Sequence, residues 1–214
     1  MEITLLTNLL GAVGLGAASG LNAWIPLLAL GVAERTGLVT LSAPFNELGS
    51  TPGLAVLAVV FVIDLIGDKV PAVDHVLHAV GALVAPASGA VVVMAQENLL
   101  TEVHPAVAAI LGLVLGGSIQ AGRSALRPVV TAGTGGVGNP VVSIIEDVSS
   151  VMLTVLAIVV PVLAFLSVVG MVVLGIVLYR RWRRRRAERR QAEQVGPGVA
   201  PGVAAPPDAW QRYR

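Results

Sequence analysis

Apolar stretches recur along the chain from Ile3 to Tyr179, each closed by proline, glycine or a charged residue. Read by hydropathy and breakers, they predict helices near 3–33, 53–67, 72–96, 105–127, 141–159 and 162–180. Such stretches have the length of membrane spans, in which backbone polar groups must be satisfied within the helix itself. The pattern therefore predicts an all-α fold, a polytopic transmembrane helical bundle of about six spans. Between Val148 and Tyr179 no residue is charged. Residues 141–180 thus read either as two helices joined by a tight turn at Pro161 or as one long helix kinked there.

Composition sharpens the class. With 55% hydrophobic and 13% charged residues and a mean hydropathy of +0.83, a soluble enzyme is excluded. The absence of cysteine removes a disulfide framework, a thiolate nucleophile and a cysteine-ligated zinc or iron–sulfur centre. No cofactor is expected.

The net charge of +1 conceals an asymmetry: residues 1–179 sum to −6 and residues 180–214 to +7. Positive-inside bias puts Arg180 to Arg190 in the cytoplasm. Six spans then place Lys69, Arg123 and Arg127 there too and leave Arg35 outside, so both termini of a cell-membrane protein are expected to be cytoplasmic. A five-span count strands those three basic residues outside. Ala17, Ala18 and Ser19 resemble a signal-peptide cleavage site. No basic residue precedes Ile3, however, and the apolar run continues through Leu30, so this segment reads as membrane domain. The expected plan is a membrane domain over 1–180, a polybasic juxtamembrane segment over 181–190 and a disordered Pro-, Gly- and Ala-rich tail over 191–214. The polybasic segment suits anionic lipid headgroups, with Trp182 at the interface, and topology explains it without nucleic acid.

The first apolar segment is too long for one plain span, since 31 residues at ~1.5 Å reach ~46 Å across a core of ~30 Å. Gly20-Leu21-Asn22-Ala23-Trp24-Ile25-Pro26 supplies a break, through a flexible glycine, a polar amide and a proline. A shift of 102 residues aligns Gly14, Gly20, Ala23 and Pro26 with Gly116, Gly122, Ala125 and Pro128. That register suggests two inverted three-helix halves, 1–96 and 105–180, the plan of inverted-repeat transporters.

Gly20 to Leu28, Asp68-Lys69-Val70-Pro71-Ala72-Val73-Asp74, Pro86 to Gly89, and Asn139 to Asp147 follow one another in a recognisable order. Together they resemble an uncharacterised bacterial integral membrane family, domain of unknown function 4126, over roughly residues 5–180. The resemblance implies a helical integral membrane protein and carries no activity or site residues. Two departures stand out: Trp24 where a tyrosine is expected, and Gln120-Ala121-Gly122-Arg123 where a lysine precedes the glycine more often.

The polar residues within this apolar body are the candidate chemistry. Asp64 and Asp68 are four apart on one helix face. An ionised Asp64 one turn inside the apolar run costs ~3 kcal/mol or more without a partner or water. Lys69 and Asp74 read equally well as solvated charges at a turn, with Pro71 opening the next helix. Glu146 and Asp147 suit a first helical turn electrostatically, but a span beginning near Val141 carries them below the interface. Arg123 and Arg127 are their natural partners at that depth. Gly133 to Gly138 lacks the lysine and hydroxyl residue of a phosphate loop and reads as a connection. His75 and His78 offer two ligands on one face but no third, so no metal site is expected. Gly16/Gly20 and Gly112/Gly116 have the spacing of close helix packing, first within the monomer and second between copies in a homo-oligomer.

These residues predict a small transporter or permeation protein, not an enzyme. Its substrate or ion site comprises Asn22, Asp64, Asp68, Lys69, Asp74, Arg123, Arg127, Glu146 and Asp147, and binds a cation, a proton or a small anionic solute. Two rivals are a non-catalytic membrane scaffold and a lipid-modifying enzyme using Asp68, Asp74 and His75 with Arg123 on a phosphate.

Overall fold

The computed structural model describes residues 2–67, 71–101 and 103–195. The helices are α1 (Glu2–Leu21), α2 (Trp24–Arg35), α3 (Thr51–Gly67), α4 (Pro71–Met94), α5 (Glu97–Leu100), α6 (Pro105–Thr134), α7 (Asn139–Val159) and α8 (Pro161–Val195). A 3-10 turn over Phe45–Gly49 precedes α3, and the described residues contain no strand, only an isolated bridge between Leu41 and Gln96. The chain divides into two compact units, Met1–Val168 and Val169–Arg214.

Among the described residues, four helices are long and apolar enough to cross a membrane: Ile3–Leu21, Pro105–Thr134, Asn139–Val159 and Pro161–Arg184. The apolar helices Thr51–Gly67 and Ala79–Met94 are shorter. Large apolar side chains cover the outside, among them Val56, Ile63, Leu83 and Ile110, each more than half exposed. A surface of this kind belongs in lipid. Within the first unit α1 is the central helix, packed against α4, α6 and α7.

The break predicted at Gly20–Pro26 is present, and its local cause is visible. Helix α1 ends at Leu21, and Asn22 Oδ1 accepts the amides of Trp24 at 2.9 Å and Ile25 at 3.3 Å, capping α2. Pro26 then falls in the first turn of α2, where its missing amide breaks no intrahelical bond. Carbonyls around the break are satisfied from neighbouring helices. Ser150 Oγ donates to the Ala18 carbonyl at 3.0 Å, Arg123 Nη1 to that of Gly20 at 3.2 Å, and Ser88 Oγ to that of Ala23 at 2.6 Å.

Beyond the break the chain departs from a single crossing over 3–33. Leu15 and Leu30 line one cavity of about 350 Å³ together with Asn8, Leu41, Gln96 and Pro161. Along a straight helix Leu30 would stand ~22 Å beyond Leu15. Helices α1 and α2 are therefore a hairpin with its apex at Asn22 and Ala23. The start of α1 shares one end of the first unit with residues 38–41, the 96–98 segment and the residues flanking Val160. Arg123, Arg127 and the α6–α7 connection lie toward the other end. The single crossing expected over 3–33 is thus replaced by this hairpin.

Two further boundaries are corrected. Helix α6 does not stop before Pro128 but runs to Thr134, where Gly135 ends it in the left-handed conformation (φ 62°). Because α6 is continuous, the Gly122–Pro128 stretch holds no counterpart to the α1–α2 break. Helix α8 continues to Val195, so residues 191–195 of the tail expected to be disordered are helical; residues 196–214 lie outside the described set.

At Pro161 the structure decides between turn and kink. A β-carbon built on Gly14 lies 2.8 Å from the β-carbons of both Ala157 and Ala164, so these two are within twice that distance of each other. In one continuous helix, residues seven apart are separated by ~10 Å. The chain turns sharply at Val160, the single non-helical residue between α7 and α8.

The glycine pairs serve packing inside the chain. A β-carbon on Gly16 would meet Leu115, on Gly20 Ile119, on Gly116 the Ala85 carbonyl and on Gly112 the Gly89 backbone.

Candidate functional site

The hairpin apex delivers Asn22 into the interior of the bundle, where it is 5% exposed. With its carbonyl oxygen committed to capping α2, its amide nitrogen donates outward. Nδ2 reaches Asp64 Oδ2 on α3 at 3.0 Å and Asp147 Oδ1 on α7 at 2.9 Å. The orientation of the amide is thus fixed from both ends, by two N–H donors on one side and two carboxylates on the other. One neutral side chain links three elements that are far apart in sequence.

The second part of the cluster is ionic. Glu146 Oε2 accepts from Arg123 Nη2 at 2.6 Å and Arg127 Nη2 at 3.3 Å. The side chains of Arg123, Arg127 and Glu146 are only 17%, 11% and 11% exposed. A shared carboxylate lowers the cost of keeping two arginines this far buried. Arg123 Nη1 also donates to Gln120 Oε1 at 3.1 Å, which ties the guanidinium to its own helix.

Most of these groups, though not Glu146, line a cavity of about 180 Å³. Asn22, Asp64, Gln120, Arg123, Arg127 and Asp147 form its polar side, and Val60, Ile63, Leu77, Val80 and Val84 its apolar side, with Trp24 between them. Asp147 stands eight residues into α7 and Arg127 seven from the end of α6, which at ~1.5 Å per residue is ~10–12 Å from that end of the bundle. That depth compares with a bilayer core of ~30 Å.

Of the residues singled out from sequence, Asn22, Asp64, Arg123, Arg127, Glu146 and Asp147 converge here. The pairing of Glu146 with both arginines is as expected. Asp64 meets Asn22; its expected companion Asp68, and Lys69, lie outside the described residues. Asp74 sits in the first turn of α4, and its side chain is likewise outside the described set. Sequence reasoning missed Gln120, buried at 3%, and Ser88 and Ser150, whose hydroxyls hold the break. Gln120 had a signal, as an uncharged amide alone within an apolar stretch; the serines had none.

The family model described as domain of unknown function (DUF4126) matches residues 9–181. The chain belongs to this family. The match takes in every residue of the cluster, so the cavity is part of the DUF4126 domain and not of the basic tail. No curated protein and no solved structure matches the chain.

Proposed function

We propose that this DUF4126 protein is a small transporter or permeation protein whose substrate or ion occupies the cavity at the α1–α2 apex. One observation carries the reading: six polar side chains from α3, α6, α7 and the hairpin break converge on one cavity among apolar helices. Charged groups at membrane depth are costly, and substrate and ion sites are where they are commonly kept. Broken helices that expose backbone and an amide at such a site are a recurrent transporter device. If the groups served only to satisfy one another, close packing would leave little room between them.

Charge supports a topology for this reading. Arg123, Arg127 and, by its place in sequence between α3 and α4, Lys69 mark the cytoplasmic end; Arg35 marks the external one. The α1–α2 hairpin is then re-entrant from the external face, and α3, α4, α6, α7 and α8 cross the membrane. Arg180 to Arg190 lie in the cytoplasm against anionic headgroups. The role assigned is binding and passage, not turnover, with Asp64 and Asp147 for a cation or proton and Arg123 and Arg127 for charge balance.

The test is flux in proteoliposomes, screened over protons, monovalent cations and small anionic solutes. Saturable flux is expected, with a loss of at least 10-fold in Asp64→Asn. Equal flux in wild type, Asp64→Asn and Glu146→Gln for every solute would sink the proposal.

A further inference from the structure

Helix α6 brings to the cavity two nitrogen donors that no described residue uses. Gln120 lines the cavity and is 3% exposed. Its Oε1 accepts from Arg123 Nη1 at 3.1 Å, which fixes the orientation of the amide, since the reverse would set donor against donor. The other end, Nε2, lies against Gly81 of α4, where a built β-carbon would stand 3.2 Å from it. Neither N–H of Nε2 finds an acceptor among the described residues. Arg123, which also lines the cavity, keeps its Nε buried without an acceptor. The carboxylates nearby are engaged: Asp64 and Asp147 both accept from the Asn22 amide, and Glu146 is held by the two arginines. Buried donors are rarely left unmet. What the floor of the cavity lacks is an acceptor oxygen.

Charge and the opposite wall narrow the source of that oxygen. The ionisable side chains that line the cavity, Asp64 and Asp147 against Arg123 and Arg127, sum to zero in their ordinary ionised forms. A charged head would add an uncompensated charge among apolar helices, where it is costly, and an uncharged acceptor would not. Water could meet the donors, but Val60, Leu77 and Val84 across the cavity offer it nothing to bond. That apolar wall also reaches the outside of the bundle: Ile63 on α3 and Val80 on α4 line the cavity, yet are 57% and 46% exposed. In a membrane their outer faces meet acyl chains. The cavity thus joins an apolar rim to a floor of unspent N–H donors.

We propose that the substrate is an uncharged amphiphile, an apolar chain ending in a carbonyl oxygen, which reaches the cavity from the bilayer past Ile63 and Val80. Its oxygen accepts from Gln120 Nε2, and its chain lies along Val60, Leu77 and Val84. This inference rests on the reading of the apex cavity as a binding site and names the class of molecule it takes.

Trp24 lines the same cavity and provides the readout. The chain's other tryptophans are Trp182 and Trp210, so Trp182→Phe with Trp210→Phe leaves Trp24 as sole reporter. In nanodiscs of zwitterionic lipid, this protein is titrated with methyl dodecanoate. The comparison probes are tridecane, which lacks the oxygen, methyl acetate, which lacks the chain, and dodecyl sulfate and dodecyltrimethylammonium, which carry charge. A saturable change in Trp24 emission is expected with methyl dodecanoate. Tridecane should bind roughly 5-fold more weakly or worse, the worth of one hydrogen bond, and methyl acetate and both charged amphiphiles roughly 10-fold more weakly or worse. Gln120→Glu keeps the acceptor that Arg123 uses and removes both N–H donors, so it should weaken methyl dodecanoate by roughly 5-fold. If the added carboxylate disturbs folding, Gln120→Met removes the donors without a charge and should do the same while leaving tridecane unchanged. Equal binding of tridecane, or full affinity in both Gln120 variants, would overturn the oxygen contact. Equal binding of methyl acetate would overturn the lateral route, and equal binding of either charged amphiphile would overturn the neutral head. An unchanged Trp24 emission with every probe would overturn the inference outright. Ester binding without any flux would remove the transporter reading and leave this one standing; saturable ion flux without ester binding would do the reverse.

Discussion

Glu146→Ala is expected to lower the unfolding free energy by about 3–5 kcal/mol, because it leaves two buried guanidinium groups without the carboxylate they share. For a chain of this size such a loss corresponds to roughly 10 °C in melting temperature. One substitution acts on both arginines, since the same Oε2 accepts from Arg123 at 2.6 Å and Arg127 at 3.3 Å. Replacing all three by apolar residues, Glu146→Leu with Arg123→Leu and Arg127→Met, should recover most of the loss, because buried ion clusters exchange for packed hydrophobic groups at little net cost. Thermal unfolding in detergent, followed by circular dichroism, measures both. A loss under about 1 kcal/mol in the single variant would mean that other partners already satisfy the arginines. Recovery of stability in the triple variant without recovery of flux would assign the cluster a functional role that stability alone does not explain.

The second large effect comes from packing, and two glycines of α6 give opposite signs. A β-carbon on Gly112 would lie 2.5 Å from the carbonyl carbon of Gly89 and 2.8 Å from the amide of Ala90, both backbone atoms of α4. Backbone cannot yield as a flexible side chain does, so α4 and α6 must separate. Gly112→Ala is therefore expected to destabilise by about 1–3 kcal/mol or more, and Gly112→Leu to prevent accumulation of folded protein. Gly122, ten residues along the same helix, has nothing within 4 Å of its built β-carbon. There Gly122→Ala should be neutral or stabilising by up to ~1 kcal/mol, the ordinary gain of alanine over glycine in a helix. Melting temperatures of the two alanine variants in one detergent decide it, and equal shifts would show that α4 and α6 do not cross this closely.

How much of this was legible beforehand depended on whether the signal was local. The break at Gly20–Pro26 was readable because an amide and a proline inside an apolar run conflict with a continuous helix. The partnership of Glu146 with Arg123 and Arg127 was readable because burial makes an unpaired charge expensive. The reversal at the apex was not, since hydropathy measures how apolar a segment is and not which way it runs. Nor was the meeting of Asn22 with Asp64 and Asp147, which depends on tertiary proximity across 42 and 125 residues of sequence. Pro128 misled because its position usually ends a helix, whereas here Gly135 does so seven residues later. The recurrence of glycine that suggested a repeat has a nearer cause in helix crossings: Gly14 faces Ala157 and Ala164, and Gly116 faces Ala85.

The site depends on α1 and α2 forming a hairpin that carries Asn22 into the bundle, and the absence of natural cysteine makes this directly measurable. Single substitutions Thr4→Cys, Thr40→Cys and Val137→Cys fall at exposed positions near the start of α1, after α2 and between α6 and α7. In sealed vesicles, each is reacted with a membrane-impermeant thiol reagent added to one side at a time. The hairpin predicts that Thr4→Cys and Thr40→Cys react from the same side, and Val137→Cys from the opposite one. Reaction of Thr4→Cys together with Val137→Cys, across the membrane from Thr40→Cys, would mean that residues 3–33 cross once, and the site built on the apex would go with it.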